Sequence, residues 1–261
     1  MTLVIQKPWY KKSGKYKGIW VPKTWSGLTS FYGSNVWKVG EDVFFSQTSD
    51  QYVLNKSTST WSAKTWYNLT SYNGEYIWTD GESTYYSAGN GLQSVLNKST
   101  STWNSKTWYG TSNAVGSYIW TDGATFYYSL SGDQYVLDKS TSTWNVKTWQ
   151  GLTNINGNCI WTDGNNVYYS TGSTQYVLDT STSTWSKKTW QGLTNINGTN
   201  IWTDGENIYY SNRSNQYVLN KATSTWSKKT WQGLTSFYGY YIWTDGENIY
   251  YSNMSNQYVL T

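Results

Sequence analysis

Histidine is absent from this chain of 261 residues, and cysteine occurs once, as Cys159. Without histidine the chain can form neither a Ser-His-Asp triad nor a histidine-ligated metal centre. A single cysteine can form neither an intramolecular disulfide nor a thiolate metal cluster. These absences predict a protein without a metal site, a cofactor or catalytic residues.

Long apolar segments and nucleotide-binding motifs are also missing. No run of eighteen apolar residues occurs, so no membrane-spanning helix is predicted. Neither a G-x-G-x-x-G pattern nor a P-loop is present. The segment Met1–Lys12 lacks the apolar stretch of a secretory signal peptide, so synthesis in the cytoplasm is expected and the final location is left open.

Aromatic residues, in contrast, make up 19% of the chain, with 19 Trp and 26 Tyr. Many belong to one repeated stretch, of which residues 201–211 are an example: two β-favouring runs around the turn Asp204-Gly205. A tryptophan begins each copy, with spacings of 41 or 42 residues: Trp37, Trp78, Trp120, Trp161, Trp202 and Trp243. A fixed period of this length indicates a solenoid, a propeller or a repeat array.

The phase of the repeat favours a closed ring. Each unit is interpreted as four short strands, a to d, and the chain ends after strand c of the sixth unit. The missing strand d matches residues 18–26, which we expect to complete the last blade. The sequence therefore predicts an all-β, six-bladed propeller of four-stranded blades over residues 18–261, closed by its N-terminal strand, with residues 1–17 as a separate basic arm.

The repeat resembles the kelch repeat. The resemblance lies in the Ile-Tyr-Tyr of strand b and in the later segment Tyr-Val-Leu-Asn-Lys-Ser-Thr-Ser-Thr-Trp, as in residues 52–61, and it covers about residues 18–261. The diglycine with which kelch repeats end strand b is missing. Its place is taken by pairs such as Asn212-Arg213 and Asn253-Met254. The resemblance implies a propeller that binds proteins, since only a few members of the family are enzymes.

Residues that recur in every unit are assigned to structure. Eighteen of the 19 Trp occupy three fixed places per unit and are predicted to form the core between blades. The Asp of each Asp-Gly pair is assigned to turn formation, with Val39 in its place in the first unit. One lysine per unit is interpreted as a solvated charge on the outer strand: Lys23, Lys64, Lys106, Lys147, Lys188 and Lys229.

The arm is the most basic part of the chain, because residues 1–25 hold six lysines and no acid. A solvated surface or a docking segment for an acidic partner would both explain this charge. The arm resembles phage structural proteins in style, which implies a capsid or tail as partner and a virion as location. The predicted docking residues are Lys7, Trp9, Lys11, Lys12, Lys15 and Lys17.

Variation between the units is concentrated in the b–c and d–a loops, which an up-and-down blade places on one face. Binding residues commonly lie in such loops, although drift would also produce variation. We expect exposed Tyr rings with Asn, Ser and Thr to bind a protein or a glycan. The predicted binding residues are Phe31, Tyr32, Tyr72, Tyr76, Arg213, Phe237, Tyr238 and Tyr240, with the loops at Phe31 and Phe237 forming one aromatic neighbourhood across the ring closure.

Three functional interpretations follow. The first is a non-catalytic binding or structural propeller, an accessory or virion-associated decoration or adhesion protein. The second is a lectin with repeated glycan pockets. The third is a glycosidase with two carboxylates, which is disfavoured because the acids mostly occupy repeated turn positions. A sialidase-type enzyme would need an arginine cluster, and Arg213 is the only arginine. A nucleic-acid partner is not expected because the body carries no basic stripe.

Overall fold

The computed structural model describes residues 16–261, so the arm residues Lys7, Trp9, Lys11, Lys12 and Lys15 lie outside the described part. The chain forms six antiparallel sheets, each with four main strands, arranged in a ring. This is a six-bladed β-propeller, and the predicted fold is confirmed. Within residues 16–261 no helix has the length and apolarity needed to cross a membrane.

The strands of each blade are labelled a to d from the axis outward. Strand a spans Val36–Val39, Ile77–Thr79, Ile119–Thr121, Ile160–Thr162, Ile201–Thr203 and Ile242–Thr244 in blades 1 to 6. Strand b spans Asp42–Gln47, Thr84–Ser87, Phe126–Ser131, Val167–Thr171, Ile208–Arg213 and Ile249–Met254. Strand c spans Asp50–Asn55, Gln93–Asn97, Asp133–Asp138, Thr174–Asp179, Asn215–Asn220 and Asn256–Leu260. Strand d spans Thr60–Ala63, Thr102–Ser105, Thr143–Val146, Thr184–Lys187, Thr225–Lys228 and, for blade 6, Trp20–Pro22.

The chain closes the ring through its first strand. Trp20–Pro22 runs antiparallel to strand c of blade 6, with Trp20 opposite Leu260 and Pro22 opposite Tyr258. A proline is tolerated there because strand d is the outer edge of the sheet, where no further strand needs its missing N–H. The predicted closure of the ring is confirmed.

In blades 2 to 6 the a–b hairpins are stabilised by the aspartates that the sequence assigned to turns. In blade 5, Asp204 Oδ1 accepts the backbone N–H groups of Glu206 at 3.0 Å and Asn207 at 2.7 Å, and Oδ2 accepts the hydroxyl of Tyr209 at 2.8 Å. Blade 1 has Val39 in place of this aspartate and Phe44 in place of the tyrosine. The carboxylate and its phenol partner are therefore lost together.

Tryptophan triads fill the spaces between blades, as the sequence predicted. Trp243 of strand a, Trp25 of the d–a loop and Trp61 of the next strand d lie with ring centroids 5.7–6.0 Å apart. Tyr250 stacks on Trp243 at 4.4 Å. All eighteen of these tryptophans are buried, and the six triads share this arrangement. Each close aromatic pair contributes about 0.5–1.5 kcal/mol beyond the area it buries.

The lysine ring differs from its predicted role as a solvated charge. Each of these lysines is half-buried, with its ammonium 4.5–4.8 Å from the centre of a d–a loop tryptophan ring. In five copies the ammonium also donates to a serine hydroxyl on the neighbouring blade, as Lys106 does to Ser142 at 2.7 Å. The solvated interpretation was wrong because the neighbouring indole and hydroxyl offer the ammonium better partners than an open edge.

Up-and-down strands give the disc two faces. The a–b and c–d turns lie on one of them, here called the turn face, and the b–c turns and d–a loops lie on the other, the loop face. Tyr16 lies on the turn face, where its hydroxyl donates to the carbonyl of Glu247 at 3.3 Å. Burial and the charges of Asp204 and Asp245 raise the pKa of Tyr16. The chain therefore enters the propeller from the side opposite the variable loops.

Candidate binding site around the axis of the loop face

Six short 3-10 turns surround the propeller axis on the loop face. Each one immediately precedes a strand a, and each contacts the next turn around a closed ring. We call this set the axial ring: Gly33–Asn35, Gly74–Tyr76, Gly116–Tyr118, Gly157–Cys159, Gly198–Asn200 and Gly239–Tyr241. The first residue is always glycine because a Cβ there would lie 2.1–2.2 Å from a carbonyl oxygen of the preceding turn.

A buried glutamine on each strand c holds the loop that leads into the axial ring. Gln134 donates through Nε2 to the carbonyl of Ile155, in the next d–a loop, at 3.2 Å. The same amide donates to the carbonyl of Ser131 in its own b–c turn at 2.5 Å. All six copies make the equivalent bond to the next loop. The ring is thus presented by a rigid, repeated scaffold.

The second and third residues of the six turns form what we call the axial mouth. They differ from copy to copy, whereas the glycine before them and the tryptophan two residues after them do not. The second residues are Ser34, Glu75, Ser117, Asn158, Thr199 and Tyr240, and the third residues are Asn35, Tyr76, Tyr118, Cys159, Asn200 and Tyr241. Variable side chains on an invariant scaffold are typical of a binding surface.

One side of the mouth is aromatic. Tyr32, which precedes the turn of blade 1, stacks on Tyr241 with centroids 5.5 Å apart. Tyr238 and Tyr240 contact the same ring edge-on at 6.3 Å and 5.0 Å. The guanidinium of Arg213 lies 5.8 Å from the centre of the Tyr238 ring, and its Nε donates to the Tyr238 hydroxyl. These side chains form the aromatic neighbourhood that the two similar loops predicted across the closure.

A tyrosine–glutamate contact reaches across the mouth. The hydroxyl of Tyr240 lies 3.4 Å from Glu75 Oε2, although their turns are separated by the turn that contains Ser34. Tyr76 follows Glu75 in the same turn. Burial, followed by the charge of Glu75, raises the pKa of Tyr240 to about 12 and also raises that of Tyr76. Both phenols are therefore protonated hydrogen-bond donors at neutral pH.

The turns that precede strand a of blades 4 and 5, which follow the aromatic side around the ring, carry amides and a hydroxyl instead of rings. Asn197 Oδ1 accepts the backbone N–H of Thr199 at 3.1 Å and its hydroxyl at 2.9 Å, which fixes the start of that turn. Asn158 and Thr199 are half-buried, and Asn200 is buried. Burial raises the pKa of Cys159 to about 11, so the thiol stays protonated at neutral pH. The mouth thus joins an aromatic side to an amide side.

Three of the predicted binding residues are not surface residues. Phe31, Tyr72 and Phe237 are only 1–3% exposed and pack against the tryptophans of strand d, with Phe31 5.3 Å from Trp61. The prediction that they are exposed was wrong because each d–a loop turns inward at this position. The other copies show this, since Ala114, Ile155 and Ile196 occupy the same place.

The remaining predicted residues lie on the loop face. Tyr32, Tyr76, Tyr238 and Tyr240 are half-buried there, and Arg213 is exposed. The structure brings Tyr32, Tyr238 and Tyr240 together around Tyr241 and places Tyr76 beside Glu75. Of the arm residues, Lys17 is described and is exposed at the surface.

Glu75, Ser34, Asn158 and Thr199 are mouth residues that were not among the predicted binding residues. Each is a small or charged residue inside a loop whose direction the sequence does not show, whereas the predicted residues are aromatic apart from Arg213. The available signal was their common place directly after the invariant glycine, where the copies show Ser, Glu, Ser, Asn, Thr and Tyr in turn. Within residues 16–261 no group of His, Cys, Asp and Glu side chains is arranged to hold a metal ion.

Comparison with known proteins supports the architecture. No protein-family model and no curated protein matches the chain, so the kelch resemblance stays a prediction. The chain is similar to the extracellular domain of the hybrid two-component system BT3049 from B. thetaiotaomicron, with 13% identity and a TM-score of 0.52 over 92% of this chain and 35% of that one. It is also similar to the extracellular domain of the one-component system BT4673 from the same organism, with 10% identity and a TM-score of 0.57 over 94% of this chain and 43% of that one. The chain spans less than half of either structure, and at this identity the likeness shows the fold.

Proposed function

We propose that the protein is a non-catalytic binding propeller whose ligand binds at the axial mouth of the loop face. The observation that carries this proposal is the position of the differences between the repeats. The triad tryptophans, the glycine that begins each axial turn and the buried glutamine of strand c recur in all copies, whereas the side chains of the mouth change. Variable side chains gathered around the axis on such a scaffold are typical of a site adapted to a ligand. The two solved structures of similar fold are extracellular domains of a hybrid two-component system and of a one-component system, which is compatible with a binding role.

A thermal-shift screen of the full chain tests this proposal. The library contains sugars, amino acids, short peptides and nucleotides. A ligand at about 100 times its dissociation constant stabilises the fold by about 2.7 kcal/mol. For a chain of this size each kcal/mol raises the melting temperature by about 2–4 °C. We expect at least one compound to stabilise the wild type and to have no effect on Tyr240→Ala or Asn158→Ala.

The matched controls are Tyr67→Ala and Tyr109→Ala. These tyrosines are 60% and 63% exposed on the outer parts of the d–a loops, away from the axial ring. They should keep the full ligand-induced shift. A shift that disappears in these rim variants and survives in the mouth variants would place binding elsewhere and refute the proposal.

We also propose a second function, in which the arm attaches the protein to a larger body such as a capsid or tail. Its lysines suit an acidic surface. Tyr16 lies on the turn face, so attachment there would leave the loop face free for a ligand. The neighbouring genes provide the test: capsid and tail genes are expected beside this one. A neighbourhood without virion genes would refute the virion role without affecting the binding role.

Glycoside hydrolysis is the alternative activity for the same mouth. A carboxylate pair is the usual requirement, and Glu75 is the one acid among the twelve mouth residues. We therefore expect no release of aryl leaving groups from a panel of aryl glycosides. Turnover that is lost in Glu75→Gln would replace the binding proposal with an enzymatic one.

A further inference from the structure

We propose that the axial mouth binds an uncharged sugar residue of a glycan, and that Glu75 determines the preference for neutral over acidic sugars. This inference rests on the proposed function, since it names the ligand class of the same site. It follows from three features of the mouth: the aromatic side, the amide side and the single carboxylate.

A pyranose ring offers an apolar face of C–H groups and an edge of hydroxyl groups. Tyr240 and Tyr241 provide partly exposed aromatic surface on one side of the mouth. Tyrosine suits this role because its ring supplies a large, rigid contact area and its hydroxyl supplies a polar end. Asn158 and Thr199, half-buried in the turns of blades 4 and 5, supply donors and acceptors for sugar hydroxyls. A ligand with only an apolar group or only an ammonium would leave one side of the mouth unused.

Glu75 is placed to accept hydrogen bonds from ligand hydroxyls. Its carboxylate lies beside Tyr240 and Tyr76, whose hydroxyls remain protonated at neutral pH. An ionised carboxylate has about four acceptor positions, so it can accept from several hydroxyl donors at once. Hydrogen bonds to a charged acceptor are roughly twice as strong as neutral ones.

The same carboxylate disfavours acidic sugars. Glu75 is the only Asp, Glu, Lys, Arg or His among the twelve mouth residues, so it carries the formal charge of this set. The cation Arg213 is not one of the twelve and contacts Tyr238, whose ring centre lies 5.8 Å from its guanidinium. A carboxylate or sulfate on the ligand would therefore meet a like charge in a partly dehydrated site.

Binding of the full chain to an array of neutral, sialylated, uronate-bearing and sulfated glycans tests the proposal, followed by calorimetry on the best neutral glycan and its acidic counterpart. We expect the neutral glycan to bind about tenfold or more tightly than the acidic one, which corresponds to about 1.4 kcal/mol. Glu75→Gln should weaken neutral binding about tenfold and reduce the difference between the two glycans. Tyr240→Phe should weaken neutral binding without changing that difference.

Glu206→Gln is the matched control, because it removes an exposed glutamate charge on the turn face. It should leave both affinities unchanged, and near-ultraviolet circular dichroism checks that each variant is folded. Equal behaviour of Glu75→Gln and Glu206→Gln, a preference for acidic glycans, or no glycan binding would each overturn the inference. A non-sugar ligand from the thermal-shift screen that needs Tyr240 would overturn the inference alone. Insensitivity of every ligand to all mouth substitutions would overturn the proposed function too.

Discussion

At the residue scale, one lysine per unit connects each blade to the next, and the connection changes where the ring closes. The five serines that accept the lysine ammonium all have positive φ angles, between 53° and 56°. The sixth position is Gly18, which has a φ of 78° and no hydroxyl to offer Lys229. The closure therefore lacks a bond that the other five interfaces have.

Replacing Gly18 by serine should restore the missing bond. A Cβ at this position would lie 3.7 Å from Lys229 Nζ, so a side chain fits without displacing its neighbours. Any L-residue there bears the cost of the left-handed backbone, about 1–2 kcal/mol. Gly18→Ala is the reference variant, because alanine bears the same backbone cost and that cost cancels in the difference between the two variants. We expect Gly18→Ser to be about 1 kcal/mol more stable than Gly18→Ala in urea denaturation. Equal stability of the two variants would show that the lysine–serine bond contributes nothing.

Side chains that recur were predictable one by one, and those that vary were not. The buried tryptophans and the turn aspartates occupy the same place in every copy, apart from Val39, so their common role could be inferred from the sequence. Phe31 and Tyr32 are adjacent aromatic residues in the same loop, yet the first is buried and the second is partly exposed. Both are aromatic, so residue type alone does not tell which of them is buried. The direction in which the loop turns decides this, and that direction depends on contacts with the next blade.

At the scale of the element, the axial ring is a set of short turns in close contact. The glycine that begins each turn approaches the carbonyl of the preceding turn too closely for any side chain. A Cβ on Gly157 would lie 2.1 Å from the carbonyl oxygen of Tyr118. Backbone cannot move aside as a flexible side chain can, so a substitution must separate two turns of the ring.

Gly157→Ala should therefore destabilise the protein by about 1–3 kcal/mol, the usual cost of forcing extra atoms into a packed site. Gly132→Ala is the matched control, since Gly132 lies in a b–c turn where an added Cβ would meet no atom within 4 Å, and its φ angle is not positive. That control should be neutral or slightly stabilising. The urea midpoints of the two variants measure this difference in stability. A Gly157→Ala variant as stable as the control would mean that the turns can move apart freely.

The elements themselves were predictable to different extents. Asp-Gly between two β-favouring runs predicts a hairpin, and the structure has one in five blades at this position. The 3-10 turns were not anticipated, because three residues are too few to show a periodic pattern. The hydrogen bonds of Gln134 and its equivalents were also not identified, although this glutamine recurs in all six units and is buried in each.

At the scale of the whole molecule, the many buried tyrosines couple stability to alkaline pH. Burial, followed by the charge of Asp122, raises the pKa of Tyr127 to about 12, and burial raises that of Tyr128 to about 12. Burial and the charge of the turn aspartate in their own blades likewise raise the pKa of Tyr209 and Tyr250. An unfolded tyrosine has a pKa of about 10. Each raised pKa contributes stability that is complete below pH 10 and is lost as the pH rises toward the folded value.

Urea midpoints measured from about pH 7 to about pH 12 should therefore stay level up to about pH 9.5 and fall steeply above about pH 10. Phenolate absorbance recorded in parallel should show tyrosine ionisation accompanying unfolding. Tyr127→Phe, which keeps the ring and removes the ionisable hydroxyl, should reduce the steepness of the fall. A midpoint that is unchanged at about pH 11.5 would show that burial does not raise these pKa values in the folded protein.

The number of blades and the closure followed from the sequence because they depend on period and phase, which a sequence shows directly. The axial mouth did not follow as a whole, because it forms only when six distant turns meet around the axis. The contact between Tyr240 and Glu75 joins residues 165 positions apart. A local sequence pattern cannot predict a contact between residues so far apart in the chain. Because the repeats are nearly identical, the sequence also gives no reason to pair one turn with the turn two blades away.

Ring closure gives the last prediction. Trp20 is 1% exposed and forms a triad with Trp202 and Trp231. Trp185 holds the equivalent position in an internal triad, with Trp120 and Trp149. If the N-terminal strand is a full member of blade 6, Trp20→Ala and Trp185→Ala should each cost about 3–5 kcal/mol in urea denaturation. Deletion of residues 1–26 should cost more, because it also removes Trp25 and leaves strand c of blade 6 as an unpaired edge. A Trp20→Ala variant that is much more stable than Trp185→Ala, or a deletion variant that melts like the full chain, would show that the ring is held without this strand. Comparable losses at the two tryptophans would show that the closing interface is as strong as an internal one, even though Gly18 leaves it one bond short.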